Sequence, residues 1–154
     1  LNTYLEMIKT QYDYIIIDCK PSLDIITLNA LTAANGVLIP VQAQYYSAKG
    51  LEQLLNTIHQ VITGGLNSSL TVDGILFTMT NDRTNNFRQI REIVRDTYGK
   101  TIHIFSSYIP RAVSAEEAPA AGMSIYQYDQ EGTVSKAYSD FTCEFIMQEE
   151  QIYG

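Results

Sequence analysis

Apolar residues form two kinds of pattern along the chain, short continuous runs and stripes with helical spacing. The runs are rich in β-branched residues, which is typical of strands buried on both faces of a parallel sheet. They predict strands at residues 14–18, 37–41, 72–79 and 102–109. The stripes predict amphipathic helices at residues 1–8, 25–34, 51–62, 87–98 and 134–146.

This alternation of strands and helices predicts an α/β fold with a parallel sheet and right-handed crossovers. Such sheets bind ligands at the carboxyl ends of their strands, so functional residues are expected directly after each predicted strand. The sequence contains no internal repeat and no low-complexity linker. We therefore predict one domain that spans residues 1–154.

Composition and charge agree with a globular chain. The 154 residues are 45% hydrophobic and 18% charged, which excludes a disordered tail or a coiled coil. No apolar run reaches the roughly 18 residues that a membrane span needs, and the first residues do not resemble a secretory signal. Cys19 and Cys143 are far apart in the sequence and lack the spacing of metal ligands. The simplest interpretation is that both are reduced thiols in a reducing compartment. These features predict a cytoplasmic protein with no membrane contact.

Asp18 is the first candidate for chemistry, because it ends the predicted strand at residues 14–18. A carboxylate at the tip of an apolar run is costly to bury unless it meets a cation or good donors, which favours a place beside a metal ion. A helix cap or a turn is an equally good interpretation, since an aspartate close to Pro21 is ordinary turn chemistry. The position of Asp18 alone leaves both interpretations open.

The tripeptide Gly99-Lys100-Thr101 resembles the end of a phosphate-binding loop, but the rest of that motif is missing. A P-loop has another glycine five positions before the Gly-Lys pair, where this chain has Val94. The preceding residues predict a helix and not a strand. We therefore interpret Gly99 as a helix C-cap.

The formal net charge of −7 hides an uneven distribution. Residues 83–100 carry five basic and two acidic side chains, whereas residues 129–154 carry one basic and six acidic ones. Arg88, Arg91 and Arg95 share one face of the predicted helix. Such a stripe can follow nucleic-acid phosphates, although three arginines on a helix are more often a solvated face.

Three separated segments carry motifs that agree with one another. They are YDYIIIDCKPSLDIITLNALTAANGVLIPVQAQYYSAKGLEQLLNTI, GILFTMTNDRTN and IPRAVSAEEAPAAGMSIYQYD, at residues 12–58, 74–85 and 109–129. In this order, and over nearly the whole chain, they resemble the ParA/Soj family of partition ATPases, in the MinD-like class with a deviant Walker A motif. The resemblance implies a three-layer, P-loop NTPase-like (Rossmann-like) α/β fold, of which this chain would hold the C-terminal part.

The resemblance also implies ATP and magnesium as ligands. Asp18, in the family's D-x-x-P motif, would be the catalytic residue beside the magnesium ion and its water shell. Pro21 would shape the switch loop. Most relatives have two prolines where this chain has Lys20-Pro21, so the switch loop is expected to be less rigid here.

An adenine pocket is the next implication of the resemblance. Thr78 and Met79 would border the base on one side, and Pro110 with Arg111 would close the other side. Stacking a base between methionine and proline surfaces, while a threonine or backbone group reads its edge, is physically reasonable.

The family role implies partners as well: a ParB-like activator, a second copy in an ATP-bound homodimer, and non-specific DNA. Arg83 and Arg111 lie where relatives present basic residues to DNA. Relatives have a second arginine and a serine where this chain has Ser114 and Glu116. A lost cation and a gained anion both weaken phosphate attraction, so weak DNA binding is expected.

The printed sequence lacks the family's glycine-rich deviant Walker A motif with its two lysines. Without these groups nothing stabilises the transferring phosphoryl, so the chain alone is not expected to hydrolyse ATP. In the family the strand before that motif lies between the strands predicted at residues 14–18 and 37–41. We therefore expect those two strands either to pair directly or to associate with another chain.

Three functional hypotheses follow. The first is a fragment of a ParA/Soj-type ATPase that acts in chromosome, plasmid or mobile-element partition, which the absence of Met at position 1 favours. The second is a naturally truncated, non-enzymatic interaction module related to ParA. The third is a generic α/β nucleotide-binding domain with another activity.

Overall fold

The computed structural model describes residues 1–20, 22–44, 47–81 and 84–153, with backbone only at residues 47, 48 and 151–153. The strands are β1 (Gly36–Gln42), β2 (Thr71–Thr80) and β3 (Ile104–Pro110). The helices are α1 (Asn2–Ile8), α2 (Ile25–Ala33), α3 (Ser47–Thr63), α4 (Asn85–Tyr98), α5 (Val113–Ala120), α6 (Ile125–Tyr128) and α7 (Thr133–Tyr153), with a 3₁₀ turn at Lys9–Gln11. Within this described part, no helix combines the length and the apolarity that a bilayer crossing requires.

Most predicted elements are confirmed. Strands β1, β2 and β3 and helices α1, α2, α3, α4 and α7 lie where the apolar pattern places them. Gly99 is the C-cap of α4, and its N–H donates to the Arg95 carbonyl at 2.8 Å. Helices α5 and α6 were not predicted, because α5 contains Pro119 and α6 has only four residues, which is too short for a periodic stripe.

The strand predicted at residues 14–18 is wrong. These residues are neither strand nor helix, and the described sheet does not include them, so the expected direct pairing with β1 is also wrong. Ile16 is 91% exposed and Ile15 is 39% exposed. An apolar run becomes a strand only when neighbouring backbone satisfies its N–H and C=O groups, so apolarity alone was an insufficient signal.

Backbone contacts divide the chain into two compact units, the first of which is Leu1–Val37 with Lys49–Asp73. Asn67 closes one end of α2, because its Nδ2 donates to the carbonyls of Leu31 at 3.0 Å and Ala34 at 2.7 Å. These bonds satisfy carbonyls that a helix C-terminus leaves without partners. The buried apolar residues of this unit are Ala30, Leu31, Leu51, Ile58, Val61 and Leu70.

The second unit, Leu38–Ala48 with Gly74–Gly154, contains most of the sheet, whose strand order is β1-β2-β3. Strands β2 and β3 run parallel. Successive side chains of a strand point to opposite faces. Because Leu76 and Phe77 are successive and both buried, both faces of β2 are covered. Leu76 packs in a cluster with Val134 and Phe141, so α7 covers one face.

Helix α4 covers the opposite face of this sheet. The Phe77 ring meets the Phe87 ring of α4 edge-on, with 5.8 Å between the ring centroids. Phe87 also meets Tyr108 of β3 edge-on, at a centroid distance of 5.2 Å. This unit therefore has the predicted three-layer arrangement of helix, sheet and helix.

Gly74, at the point where β2 enters the second unit, has no room for a side chain. A Cβ there would lie 2.6 Å from Cε2 of the fully buried Phe105 and 2.9 Å from the His103 carbonyl oxygen. We expect Gly74→Ala to lower the free energy of unfolding by about 1–3 kcal/mol, because the core must shift. Urea denaturation of the parent and variant chains measures this difference.

Gly50→Ala is the matched control for this prediction. Gly50 lies in α3, and a Cβ at this position would have no neighbouring atom within 4 Å. The same substitution is therefore expected to stabilise the chain here by about 0.5–1 kcal/mol through helix propensity. Equal effects of the two substitutions would contradict the close packing of β2 against Phe105.

Candidate functional site

The carboxyl ends of the three strands bring several predicted site residues together. Thr80 of β2 lies opposite Pro110 of β3, and the Arg111 N–H donates to the Thr80 carbonyl at 3.0 Å. Thr78 and Met79 come just before Thr80 on β2, at the edge of the sheet that also holds Pro110 and Arg111. This edge is where a parallel sheet binds its ligands.

Met79 has an unusual backbone conformation at this edge. Its φ is +50°, in the left-handed region that residues with a side chain seldom adopt, at a cost of roughly 1–2 kcal/mol. The side chain is 61% exposed, and Gln42 at the end of β1 donates from Nε2 to its Sδ at 3.2 Å. An exposed thioether held in a strained backbone at a strand end is a candidate ligand contact.

Gln42 and Thr80 belong to this edge but were not predicted. Thr80 is only 2% exposed, and its Oγ1 donates to the Ile109 carbonyl at 3.4 Å, which ties β2 to β3. Thr78, two residues earlier on the same strand, is half-buried. Both missed residues directly follow a predicted strand, so the rule that ligands bind at strand ends was the signal that could have found them.

The pairing of β2 with β3 is irregular just before this edge. Ile75 lies opposite Ile104, but Phe77 lies opposite Tyr108, so β3 uses more residues than β2 over the same length. Such an insertion is a β-bulge, which bends the strand and leaves backbone groups without a ladder partner. The extra residues of β3 are at positions 105–107.

Glu144 of α7 accepts the backbone N–H groups of this bulge. Its Oε1 accepts from Ser106 at 2.7 Å and its Oε2 from Ser107 at 2.8 Å. Partial burial acts to raise the pKa of Glu144, but the Ser107 hydroxyl and the two N–H groups outweigh it and hold the pKa below its usual range. The imidazole of His103 lies near the same carboxylate, and its Nε2 is 3.9 Å from Oε1 of Glu144.

Arg91 of α4 binds the same bulge from the other side of the sheet. Its Nη2 donates to the Ser106 carbonyl at 3.2 Å, and its guanidinium lies over the Tyr108 ring, 5.9 Å from the centroid. Arg88 and Arg95 remain exposed and line a shallow depression of about 250 Å³ together with Arg91 and Glu92. Of the three arginines in the predicted basic stripe, Arg91 therefore binds groups of β3, whereas Arg88 and Arg95 are exposed to solvent.

Arg111 is paired with an acid at the candidate site. Its Nε and Nη2 donate to Oε1 of Glu116 at 3.3 and 3.1 Å. The two side chains are 72% and 62% exposed. A surface pair of this kind is worth roughly 0–1 kcal/mol, so a stronger anion partner can displace Glu116.

Asp18 lies in the first unit and is exposed. It does not cap α2, because Asp24 is the N-cap of that helix. Oδ1 of Asp24 accepts the N–H groups of Ile26 at 2.9 Å and Thr27 at 3.1 Å. The bond from the Thr27 N–H is the main reason that the pKa of Asp24 lies below its usual value. Capping is therefore removed as an explanation of Asp18.

Two predicted site residues, Pro21 and Arg83, lie outside the described residues. Within the described ranges, no three histidine, cysteine or acidic side chains cluster as ligands of a metal ion.

A parallel sheet between two helix layers, with candidate ligand contacts at the strand ends, defines the class of this protein as an α/β fold of the P-loop NTPase type. A family model described as "AAA domain" matches residues 1–72. The chain is 43% identical to sporulation initiation inhibitor protein Soj of Bacillus subtilis, over 94% of this chain and 56% of that protein. It is 39% identical to chromosome-partitioning ATPase Soj of Treponema pallidum, over 98% of this chain and 58% of that protein.

These matches confirm the resemblance, and the chain is a relative of the ParA/Soj partition proteins. It spans about half the length of the curated relatives that it matches.

Solved structures share the fold of this chain. Cobyrinic acid a,c-diamide synthase of Mycobacterium smegmatis superposes with a TM-score of 0.73 and 30% identity, over 91% of this chain and 49% of that chain. A second structure of that enzyme, with bound ADP and magnesium, matches with a TM-score of 0.65 and 35% identity, over 73% of this chain and 44% of that chain. Nucleotide and magnesium thus bind to a structural neighbour of this protein.

The contact between Glu144 and the bulge predicts a pH-dependent stability. A carboxyl whose pKa is lowered by folding stabilises above its unfolded pKa, and this contribution is lost as the pH falls through the lower folded pKa. We expect Glu144→Gln to lower the free energy of unfolding by about 1–3 kcal/mol at neutral pH. The difference from the parent should shrink below the ordinary glutamate pKa of 4.5.

Urea denaturation from neutral pH down to about pH 3 checks this prediction. Glu150→Gln, an exposed acid on the same helix, is the control and should leave the stability nearly unchanged at every pH. A difference between parent and Glu144→Gln that stays constant over the whole range would show that the carboxylate charge is not what holds the bulge.

Proposed function

We propose that this chain forms the base-binding and magnesium-facing part of a ParA/Soj-type ATPase that acts in partition of a chromosome, plasmid or mobile element. The observation that supports this most directly is the group at the carboxyl ends of the strands, where exposed Met79 accepts from Gln42 and precedes Thr80, the partner of Pro110. In the whole protein a homodimer would be the active assembly, and a ParB-like protein would be its activator.

Met79 and Pro110 suit a nucleotide base because both offer flat or polarizable apolar surface. A purine needs apolar contact on its faces and hydrogen bonds at its edge. Thr78 and the amide of Gln42 are the nearby polar groups that would read that edge. The strained backbone of Met79 supports the same role, since such strain is concentrated at ligand sites.

The carboxylate of Asp18 is suited to contact a magnesium ion through the waters that the ion holds. Mg²⁺ keeps several of its waters and takes one or two protein carboxylates besides the phosphates of its substrate. An exposed carboxylate that is not used as a helix cap fits this requirement. When bound, the ion would neutralise the phosphate oxygens, while Asp18 would orient its water shell.

The printed 154 residues contain no glycine-rich loop with lysines, so these residues by themselves supply no cradle for the γ-phosphate. We therefore expect this chain to bind nucleotide weakly and not to turn it over. Hydrolysis belongs to an assembly that contains such a loop.

Nucleotide binding is tested with a fluorescent ATP analogue titrated into the chain in the presence of Mg²⁺. Pro110→Ala and Asp18→Ala are each expected to weaken binding about tenfold, which corresponds to roughly 1.4 kcal/mol. Asp140→Ala on α7 is the control, because it removes an exposed carboxylate from another part of the chain. Phosphate release is expected to stay at the level of buffer.

Two outcomes would reject this proposal. Absence of binding by the parent chain would show that the strand ends do not form a base site. Equal binding by the parent and by both site variants would place the nucleotide elsewhere. ATP turnover at the rate of an ordinary partition ATPase would contradict the expectation for hydrolysis.

DNA binding is tested through the pair between Arg111 and Glu116. We infer that Glu116 competes with phosphate for this arginine, so Glu116→Gln should strengthen binding to non-specific DNA by a few fold and Arg111→Ala should weaken it. The control is Glu131→Gln, which frees Lys136 from a similar exposed pair at 3.3 Å. Fluorescence anisotropy at several salt concentrations measures the affinities, and equal gains from both acidic variants would exclude a specific role of Arg111.

A further inference from the structure

The register of β3 decides which of its residues reaches the candidate base site. A regular ladder that begins with Ile75 opposite Ile104 would place Ile109 opposite Thr80. The observed partner of Thr80 is Pro110. Between Ile75 and Phe77 β3 uses two extra residues, and between Phe77 and Thr80 β2 uses one, so β3 is advanced by one residue in all at its end.

The two residues at the end of β3 have different environments. Ile109 is 5% exposed and packs with Leu76 and Val134 in the cluster under α7. Pro110, the next residue, is half-buried at the carboxyl end of the strand. Ile109 and Pro110 belong to opposite faces of β3, because the side-chain period of a strand is two.

Side chains from both neighbouring helices bind the bulge in β3 that contributes to this advance. Glu144 accepts from both Ser106 and Ser107, at 2.7 and 2.8 Å, and Arg91 donates to the Ser106 carbonyl at 3.2 Å. Two successive N–H groups on one carboxylate form a bidentate, charge-assisted contact, which is stronger than a neutral hydrogen bond. A single side chain on α7 thus compensates the backbone groups that the bulge leaves without strand partners.

We propose that Glu144 is a positioning residue for the nucleotide site, which keeps Pro110 opposite Thr80 by holding the Ser106–Ser107 bulge. This inference rests on the proposed base-binding role of Met79 and Pro110. Glu144 itself touches neither residue and acts through the backbone of β3. Its loss should therefore weaken base binding by displacing the strand end.

The experiment combines nucleotide affinity with backbone hydrogen exchange in the 154-residue chain. The probe is the fluorescent ATP analogue with Mg²⁺, and the exchange reporter is the Arg111 amide, which donates to the Thr80 carbonyl. In Glu144→Gln we expect about tenfold weaker binding, because the strand end is displaced. We also expect at least about tenfold faster exchange of that amide, because its bond to Thr80 opens more often. All measurements are made where every variant is fully folded.

Phe145→Leu is the control for general destabilisation. Phe145 lies next to Glu144 on α7 and packs on the Phe105 ring at a centroid distance of 6.1 Å, so its truncation weakens the core without removing the carboxylate. This variant should lose stability but keep the parent's nucleotide affinity and Arg111 exchange within about twofold. Glu150→Gln should match the parent in every measurement.

The possible results separate the positioning role of Glu144 from the base-binding role of the strand ends. If the parent binds no nucleotide, the proposed function fails, while the exchange rate of Arg111 still reports whether Glu144 sets the register. If the parent binds and Glu144→Gln binds equally well, the positioning role is overturned. Equal losses in Glu144→Gln and Phe145→Leu would also overturn it, because they would show an effect of helix packing alone.

Discussion

Burial of β2 on both faces is the constraint on which the second unit depends. Ile75, Leu76 and Phe77 are three successive residues with at most 3% exposure, so apolar side chains must meet them from both directions. Helix α7 supplies one layer through Phe141 and Phe145, and α4 supplies the other through Phe87. Each strand that pairs with β2 must then present its own apolar residues to these same layers, which restricts its register.

The register of β3 meets this restriction through an irregular backbone. Phe105 and Ile109 are four residues apart on β3 and both enter the cluster under α7, and the bulge at Ser106 and Ser107 lies between them. Its cost is a pair of N–H groups outside the ladder, which Glu144 accepts. Core packing, a partly buried carboxylate and the geometry of the candidate site are therefore one connected arrangement.

The charged residues show why a charge count is an incomplete guide to function. Arg91 belongs to a basic stripe in the sequence, yet it binds the Ser106 carbonyl and lies over Tyr108. Arg111 forms an ion pair with Glu116, five residues further along the chain. Glu144 is one of many acids near the C-terminus, but its neighbours lower its pKa and give it a structural role. Spacing along a helix reports which face a residue occupies and not which backbone group it meets.

Local patterns in the sequence were enough to predict most of the strands and helices, the α/β class and the ParA/Soj resemblance. These depend on local periodicity and on motifs such as TMTND and IPRAV, which are contiguous in the chain. The same periodicity failed for residues 14–18, where an apolar run has no place in the described sheet. Strand formation needs a partner, and no local pattern specifies one.

Tertiary structure alone decided which residues form the candidate site and how they are held. Gln42, Met79 and Pro110 come from three strands that are far apart in sequence, and the advance of β3 that aligns Pro110 with Thr80 is maintained by Glu144, more than thirty positions away. Backbone register depends on which hydrogen bonds are satisfied and on how the core is filled. Both depend on neighbouring residues that only the folded chain brings together.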